Sequence, residues 1–124
     1  MTVHETDALA KTTRINMLFD FYAQLLTEKQ QTFLKYYFHD DYSLGEIAAE
    51  FDISRQAVYE HVKRAEAVLE NCESKLNLLA KHESAERWLN RLDELAERLA
   101  DHGDIRAELQ AIAHGLRGEG LVGT

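Results

Sequence analysis

Apolar positions recur at helical spacing along almost the whole chain. Ile15, Leu18, Phe19, Tyr22, Leu25 and Leu26 form one stripe, with Asn16, Asp20 and Gln24 opposite, which predicts a core-facing helix beginning near Arg14. Residues 1–13 are polar and aperiodic and read as a flexible arm. Thr27 followed three residues later by Gln30 is a capping box: the threonine oxygen accepts an orphan N–H while the glutamine reaches back. It predicts a second helix from Glu28 to about Phe38, with Phe33, Leu34, Tyr37 and Phe38 as its aromatic face and His39-Asp40-Asp41 as its stop. Ser43 and Glu46 repeat the capping pattern and open a short helix with Leu44, Ile47, Ala48 and Phe51 inward, after which Ser54 caps the next.

From Arg55 onward Val58, Val62, Ala65, Leu69, Cys72, Leu76 and Leu79 alternate at spacings of four and three, a heptad pattern that predicts one long helix to about Lys81. The later seam, Ala65, Leu69, Cys72, Leu76 and Leu79, extends past any core the first helices are expected to cover, so it calls for a partner helix. Ser84 is placed to cap one, carrying Trp88, Leu92, Leu95 and Leu99 as a second coiled-coil-like stripe, of which Trp88 and Leu92 belong to the expected dimer seam. Gly103 ends that helix, and Asp104 caps a last one in which Ile105, Leu109, Ile112 and Leu116 make a third stripe. Either a second copy of the chain or the folded-back helix from Ser84 covers the seam; the homodimer is the expected answer. The chain holds no proline, and four of its six glycines lie in the last ten residues. The fold class is therefore all-α, organised as an arm (1–13), a helix-turn-helix domain with a long recognition helix (14–81), a helical extension and dimerisation element (82–116) and a disordered tail (117–124).

Ser43–Arg64 carries the candidate chemistry. Two helices crossing steeply need a small residue at their closest approach and apolar plugs on both sides of the turn. Ala48 is the small residue, Ile47, Phe51 and Ile53 fill the turn, and Val58 and Val62 anchor the second helix. Asp52 stands where such motifs often carry glycine and can meet the turn by adopting a left-handed conformation. With Val58 and Val62 buried, Arg55, Gln56, Tyr59, Glu60 and Lys63 face outward, flanked by Ser54 and Arg64. These residue types suit a major groove: Arg55 and Gln56 pair with guanine and adenine, Glu60 accepts from a cytosine amino group, and Lys63 and Arg64 meet phosphates.

Charge restrains this picture. The net charge is −8, and the one net-positive block, residues 54–64, holds three basic groups against one acidic. Few counterions are released by so few cations, so one copy binds nucleic acid weakly and a dimer doubles the contacts. Catalysis is not expected. None of the six histidines pairs with another at i,i+4 or sits in an H-E-x-x-H pattern, and no phosphate loop, dinucleotide fingerprint or nucleophile elbow occurs, so neither metal nor cofactor is called for. The single Cys72 suits a reducing compartment, and no signal core or membrane-length apolar run is present, which makes a cytoplasmic protein the expectation.

Ser43-Leu44-Gly45-Glu46-Ile47-Ala48 followed by Phe51-Asp52-Ile53-Ser54-Arg55-Gln56-Ala57-Val58 resembles region 4 of bacterial sigma factors. Over a longer stretch, Asn16 to about Leu95, the chain is similar to the YlxM family. The marks are Phe19-Asp20-Phe21-Tyr22, Leu25-Leu26-Thr27, the Tyr36-Tyr37 pair with Asp40-Asp41-Tyr42-Ser43, and Ser54 through Tyr59. The resemblance implies a small helical regulatory or DNA-binding protein encoded beside components of the bacterial signal recognition particle. The expected function is a nucleic-acid-binding accessory or regulatory protein of that pathway, whose target is DNA or RNA, the particle's own RNA included. The alternative is an acidic helical adaptor that docks the particle's GTPase without touching nucleic acid.

Overall fold

A computed structural model describes residues 3–99 and 101–118, with side chains from Asp7 onward. Every regular element among them is helical: α1 (Val3–Tyr22), α2 (Glu28–Leu34), α3 (Leu44–Phe51), α4 (Arg55–Leu76), α5 (Leu78–Glu97) and α6 (Gly103–Gly118). A single 3-10 turn, Ala23–Leu25, follows α1, and a π-helical turn, Lys35–His39, continues α2. The protein is thus all-α, as the apolar periodicity and the missing proline predict. It divides into two compact units between Leu76 and Asn77.

The first unit closes around Ile15, Leu18 and Tyr22 of α1, Phe33 and Leu34 of α2, Ile47 of α3 and Val58, Val62, Ala65 and Leu69 of α4, all buried. Burial of these side chains, worth about 1.5–3 kcal/mol for each large one, is what holds the helices together. Thr27 Oγ1 accepts from the Gln30 N–H at 3.1 Å while Gln30 Oε1 accepts from the Thr27 N–H at 3.0 Å, so α2 starts on the expected capping box.

Helical order begins at Val3, well before Arg14, in the stretch expected to be an arm. Two things account for it. Ala8, Leu9, Ala10 and Lys11 are good helix formers, and tertiary partners wait on α4. The Lys11 ammonium lies 3.1 Å from a Glu66 carboxylate oxygen, and the Arg14 guanidinium meets Glu70 with contacts of 2.7 and 3.0 Å. Farther along, the Tyr22 hydroxyl donates to Glu73 at 2.6 Å. With α1 lying along α4, Ala65 and Leu69 are fully buried inside the unit, so these two seam positions are occupied by the chain's own core.

The heptad does not stay on one helix. Asn77 adopts φ 55° and ψ 29°, a left-handed conformation that ends α4 at Leu76 rather than near Lys81, and α5 starts immediately after it. Asparagine is among the few residues besides glycine that enter this region readily. Leu79 therefore belongs to α5, and Ser84 lies inside that helix instead of capping it.

In the second unit α5 and α6 form an antiparallel hairpin. Glu97 meets Arg106 at 3.7 Å and Gln110 at 3.1 Å, while Arg117, at the other end, reaches Asp93 at 2.8 Å, Asn90 at 3.2 Å and Glu86 at 3.5 Å. Leu89, Ala96 and Ala113 are buried, the alanines letting the two backbones approach closely. The stripes expected to pack are instead largely turned out: Trp88 is 68% exposed, and Leu95, Ile105, Ile112 and Leu116 are exposed with it. Of the expected tail, Arg117 and Gly118 are helical, and residues 119–124 lie outside the described residues.

Candidate nucleic-acid interface

The crossing of α3 and α4 is set by three local devices. At its start, Ser43 Oγ accepts from the Glu46 N–H and a Glu46 carboxylate oxygen accepts from the Ser43 N–H, both at 3.1 Å. At its end, Asp52 takes φ 54° and ψ 47°, and the Ile53 N–H donates to the Ala48 carbonyl at 3.1 Å, which folds the chain back under Ala48. Ser54 Oγ then accepts from the Ala57 N–H at 3.0 Å and begins α4. Asp52 supplies the left-handed residue that the turn requires, as expected.

On α4 the inward residues are Val58, Val62 and Ala65, all buried. Ser54, Arg55, Gln56, Tyr59, Glu60, Lys63 and Arg64 are all exposed, over three turns of one helix face. Arg55 lies across the first turn of α3: a Cβ placed on Gly45 would stand 3.4 Å from its Nε, so glycine leaves the room that the guanidinium uses. Gln56 donates to Glu60 at 3.4 Å, and Arg64 approaches the other Glu60 oxygen at 3.8 Å, a short chain of polar contacts along the outer edge.

Lys63 is differently placed. Its ammonium sits 5.5 Å from the centre of the Tyr59 ring and 3.5 Å from a Glu66 oxygen, inside a group completed by Lys11. The adjacent Lys11 ammonium, followed by burial, pushes the Lys63 pKa below the ordinary lysine value. Glu66, with a side chain 9% exposed, is thus shared by two lysines. Lys63 and Glu66 lie at i,i+3, a spacing visible in the sequence, but Lys11 is 55 residues from its acid and no local pattern marks the pair.

His61 turns inward, stacked on Phe33 with ring centres 4.9 Å apart and planes 7° from parallel. Burial, with Lys29 and Arg64 nearby, holds its pKa below the usual histidine value. Phe51 touches both Phe33 and Tyr36, so the far side of the motif is braced by aromatic rings. Of the residues assigned to the seam, Ala65, Leu69 and Leu79 are buried, Cys72 and Leu92 are half-buried, and Leu76 and Trp88 are exposed. Among the described residues no set of histidines, cysteines and carboxylates is grouped to hold a metal ion, and no helix is long and apolar enough to cross a membrane.

Residues 9–109 match the family described as "Putative helix-turn-helix protein, YlxM / p13 like". Among curated relatives, the chain is 52% identical over 104 residues to a UPF0122 protein of Halalkalibacterium halodurans, covering 84% of this chain and 95% of that one. It is 50% identical over 105 residues to the YlxM protein of Bacillus subtilis, covering 85% and 96% of the two chains. A UPF0122 protein of Bacillus velezensis is 49% identical over 105 residues, with 85% and 96% covered.

Proposed function

The chain belongs to the UPF0122 family of YlxM / p13-like helix-turn-helix proteins, and from that premise we propose that it binds nucleic acid through the outer face of α4. The observation that carries this reading is the placement of Arg55, Gln56, Tyr59, Glu60 and Arg64 together on the exposed first turns of α4, with Val58 and Val62 locked beneath them. A helix so anchored presents base-reading side chains on a rigid support, as major-groove recognition requires. Duplex DNA is the target this face suits. The major groove of A-form RNA is too deep and narrow to admit the same helix, so the signal recognition particle RNA would be engaged at an irregular loop or end. The role we assign is that of an accessory or regulatory protein of the signal recognition particle pathway, working in the cytoplasm and without catalysis.

A second copy belongs to this reading. Arg55, Lys63 and Arg64 are three cations, and with a salt slope of about −0.9 per phosphate contact they support only weak attachment. Two copies joined through the exposed apolar residues of α5 and α6 would present two recognition helices and double the contacts.

The test is fluorescence anisotropy of the protein against labelled duplex DNA and signal recognition particle RNA at two salt concentrations. Arg55→Ala with Arg64→Ala is expected to abolish salt-sensitive binding. Undiminished binding by that double variant would refute the α4 face as the contact.

One observation favours a different reading. The net charge is −8, and Lys63, one of three cations in the motif, is already held by Glu66. An acidic surface of this kind suits a basic protein partner, and the candidate is the particle's GTPase, docked without nucleic acid. That complex would survive nuclease treatment and weaken when exposed acids such as Glu70 are reversed to lysine.

A further inference from the structure

A cleft of about 460 Å³ opens in the first unit beside the α4 face. Ala8, Lys11 and Thr12 of α1 form one wall and Tyr59, Val62, Lys63 and Glu66 of α4 another, with the segment from Tyr37 to Leu44 between them. Three tyrosines, Tyr37, Tyr42 and Tyr59, line it; the Tyr42 ring packs against Tyr36 at 4.8 Å and the Tyr59 ring lies beneath the Lys63 ammonium at 5.5 Å. The segment that supplies two of them is the irregular part of the fold. It begins within the π-helical turn Lys35–His39, whose end is closed by the Asp40 N–H donating to the Lys35 carbonyl at 3.0 Å, and continues through Asp41 at φ 56°.

The charged groups of the cleft are equally specific. Lys11 and Lys63 crowd one carboxylate, Glu66, at 3.1 and 3.5 Å, and Asp41 is the other acid along the wall, itself exposed. Two ammonium groups on one carboxylate leave one net positive charge there, and an anion that reaches both ammonium groups would offset it. A phosphate group offers several acceptor oxygens to two ammonium donors at once, where a single ligand carboxylate offers two. Stacking of a base on an aromatic side chain is worth about 1–3 kcal/mol, and a cleft of this size lies within the range that encloses a small organic ligand.

We propose that this cleft binds a nucleotide, its base against the tyrosines and its phosphate on the solvent side of the Lys11 and Lys63 ammonium groups. The ligand is either a free nucleoside monophosphate or an unpaired nucleotide of a strand held by α4. The site adjoins the α4 face and shares Tyr59 and Lys63 with it, but the inference does not need α4 to read duplex DNA.

The experiment is a titration of the full-length ¹⁵N-labelled protein with the four ribonucleoside monophosphates, each compared with its nucleoside and with inorganic phosphate. At least one monophosphate is expected to shift the amide signals of Ala8, Thr12, Tyr42, Leu44 and Val62 together. The matching nucleoside and inorganic phosphate should each bind at least about tenfold more weakly, and Lys11→Ala should weaken the monophosphate by a similar factor. Lys11 is exposed on α1, so the variant tests the site without emptying the core. Tyr42→Ala should lower affinity for the monophosphate while leaving that for inorganic phosphate unchanged. A short single-stranded oligonucleotide identifies the source: displacement of the monophosphate by the strand assigns the cleft to the bound strand, and failure to displace it assigns the cleft to a free nucleotide. Absence of these shifts at about 10 mM of every monophosphate, or equal affinity for inorganic phosphate, would overturn the proposal. Arg55→Ala with Arg64→Ala should leave nucleotide binding intact, so loss of duplex binding and loss of nucleotide binding are separate results.

Discussion

Tyr22 and Glu73 join the end of α1 to the last turns of α4. The hydroxyl is buried with its ring and donates to the carboxylate at 2.6 Å. A hydrogen bond to a charged group contributes about 1.5–3 kcal/mol, so Tyr22→Phe is expected to lower unfolding free energy by about that amount in urea titrations. A change below about 0.5 kcal/mol would mean the carboxylate is satisfied equally well without the hydroxyl. His61 offers a test in pH. Burial against Phe33 holds its pKa below the unfolded value of about 6.5, so the folded state resists protonation that the unfolded chain accepts. Its contribution is therefore complete above about pH 6.5 and is lost as pH falls through the folded pKa. Proton NMR of the His61 ring should give a midpoint below 6.5, and a midpoint at or above it would contradict the stacked, half-buried placement. Local capping pairs such as Thr27 with Gln30 were legible because both partners lie within one turn. Lys11 with Glu66 was not, because their meeting depends on α1 reaching back to Val3.

At the scale of elements, two left-handed residues decide where helices end. Asp52 closes α3 at φ 54° and Asn77 separates α4 from α5 at φ 55°. For Asp52, replacement by glycine is expected to preserve or raise stability by up to about 1 kcal/mol, because glycine enters this region without the Cβ clash. Asp52→Val should lower it by about 1–2 kcal/mol, the cost of forcing a β-branched residue there. Thermal unfolding of the two variants checks the order; a valine variant as stable as the glycine one would show that the turn does not need this conformation. The sequence made Asp52 legible, since the helix-turn-helix spacing puts a turn there whatever residue occupies it. Asn77 was hidden inside the apolar run Leu76-Asn77-Leu78-Leu79, where the uninterrupted heptad argued for continuity. The π-helical turn at Lys35–His39 was equally invisible, because Phe33, Leu34, Tyr37 and Phe38 keep a helical spacing whether the backbone bonds reach four residues back or five.

At the scale of the whole molecule, the apolar surface of the second unit governs association. Its helices meet through Leu89, Ala96 and Ala113, which leaves Trp88 and Leu95 of α5 and Ile105, Ile112 and Leu116 of α6 exposed to water. Both sets recur at intervals of seven, Trp88 with Leu95 and Ile105 with Ile112, the spacing by which helices pack side by side. Apolar residues at heptad spacing are those that helices bury against one another. The sequence pointed to this region as a dimerisation element and drew the seam from Ala65 through Leu79 to Trp88 and Leu92; α1 covers Ala65 and Leu69, while Leu76 and Trp88 are exposed along with Leu95, Ile105, Ile112 and Leu116. If two chains join there, sedimentation velocity at micromolar concentration should give twice the mass of one chain. Trp88→Glu with Leu95→Glu should return the mass of a single chain while leaving the helical circular dichroism unchanged. Trp88 is the only tryptophan, so its emission provides an independent reading. Dilution should move it toward the red as the indole returns to water. Emission that stays red and a single-chain mass at every concentration would assign the exposed stripes to a different partner, and would halve the cations available to hold nucleic acid.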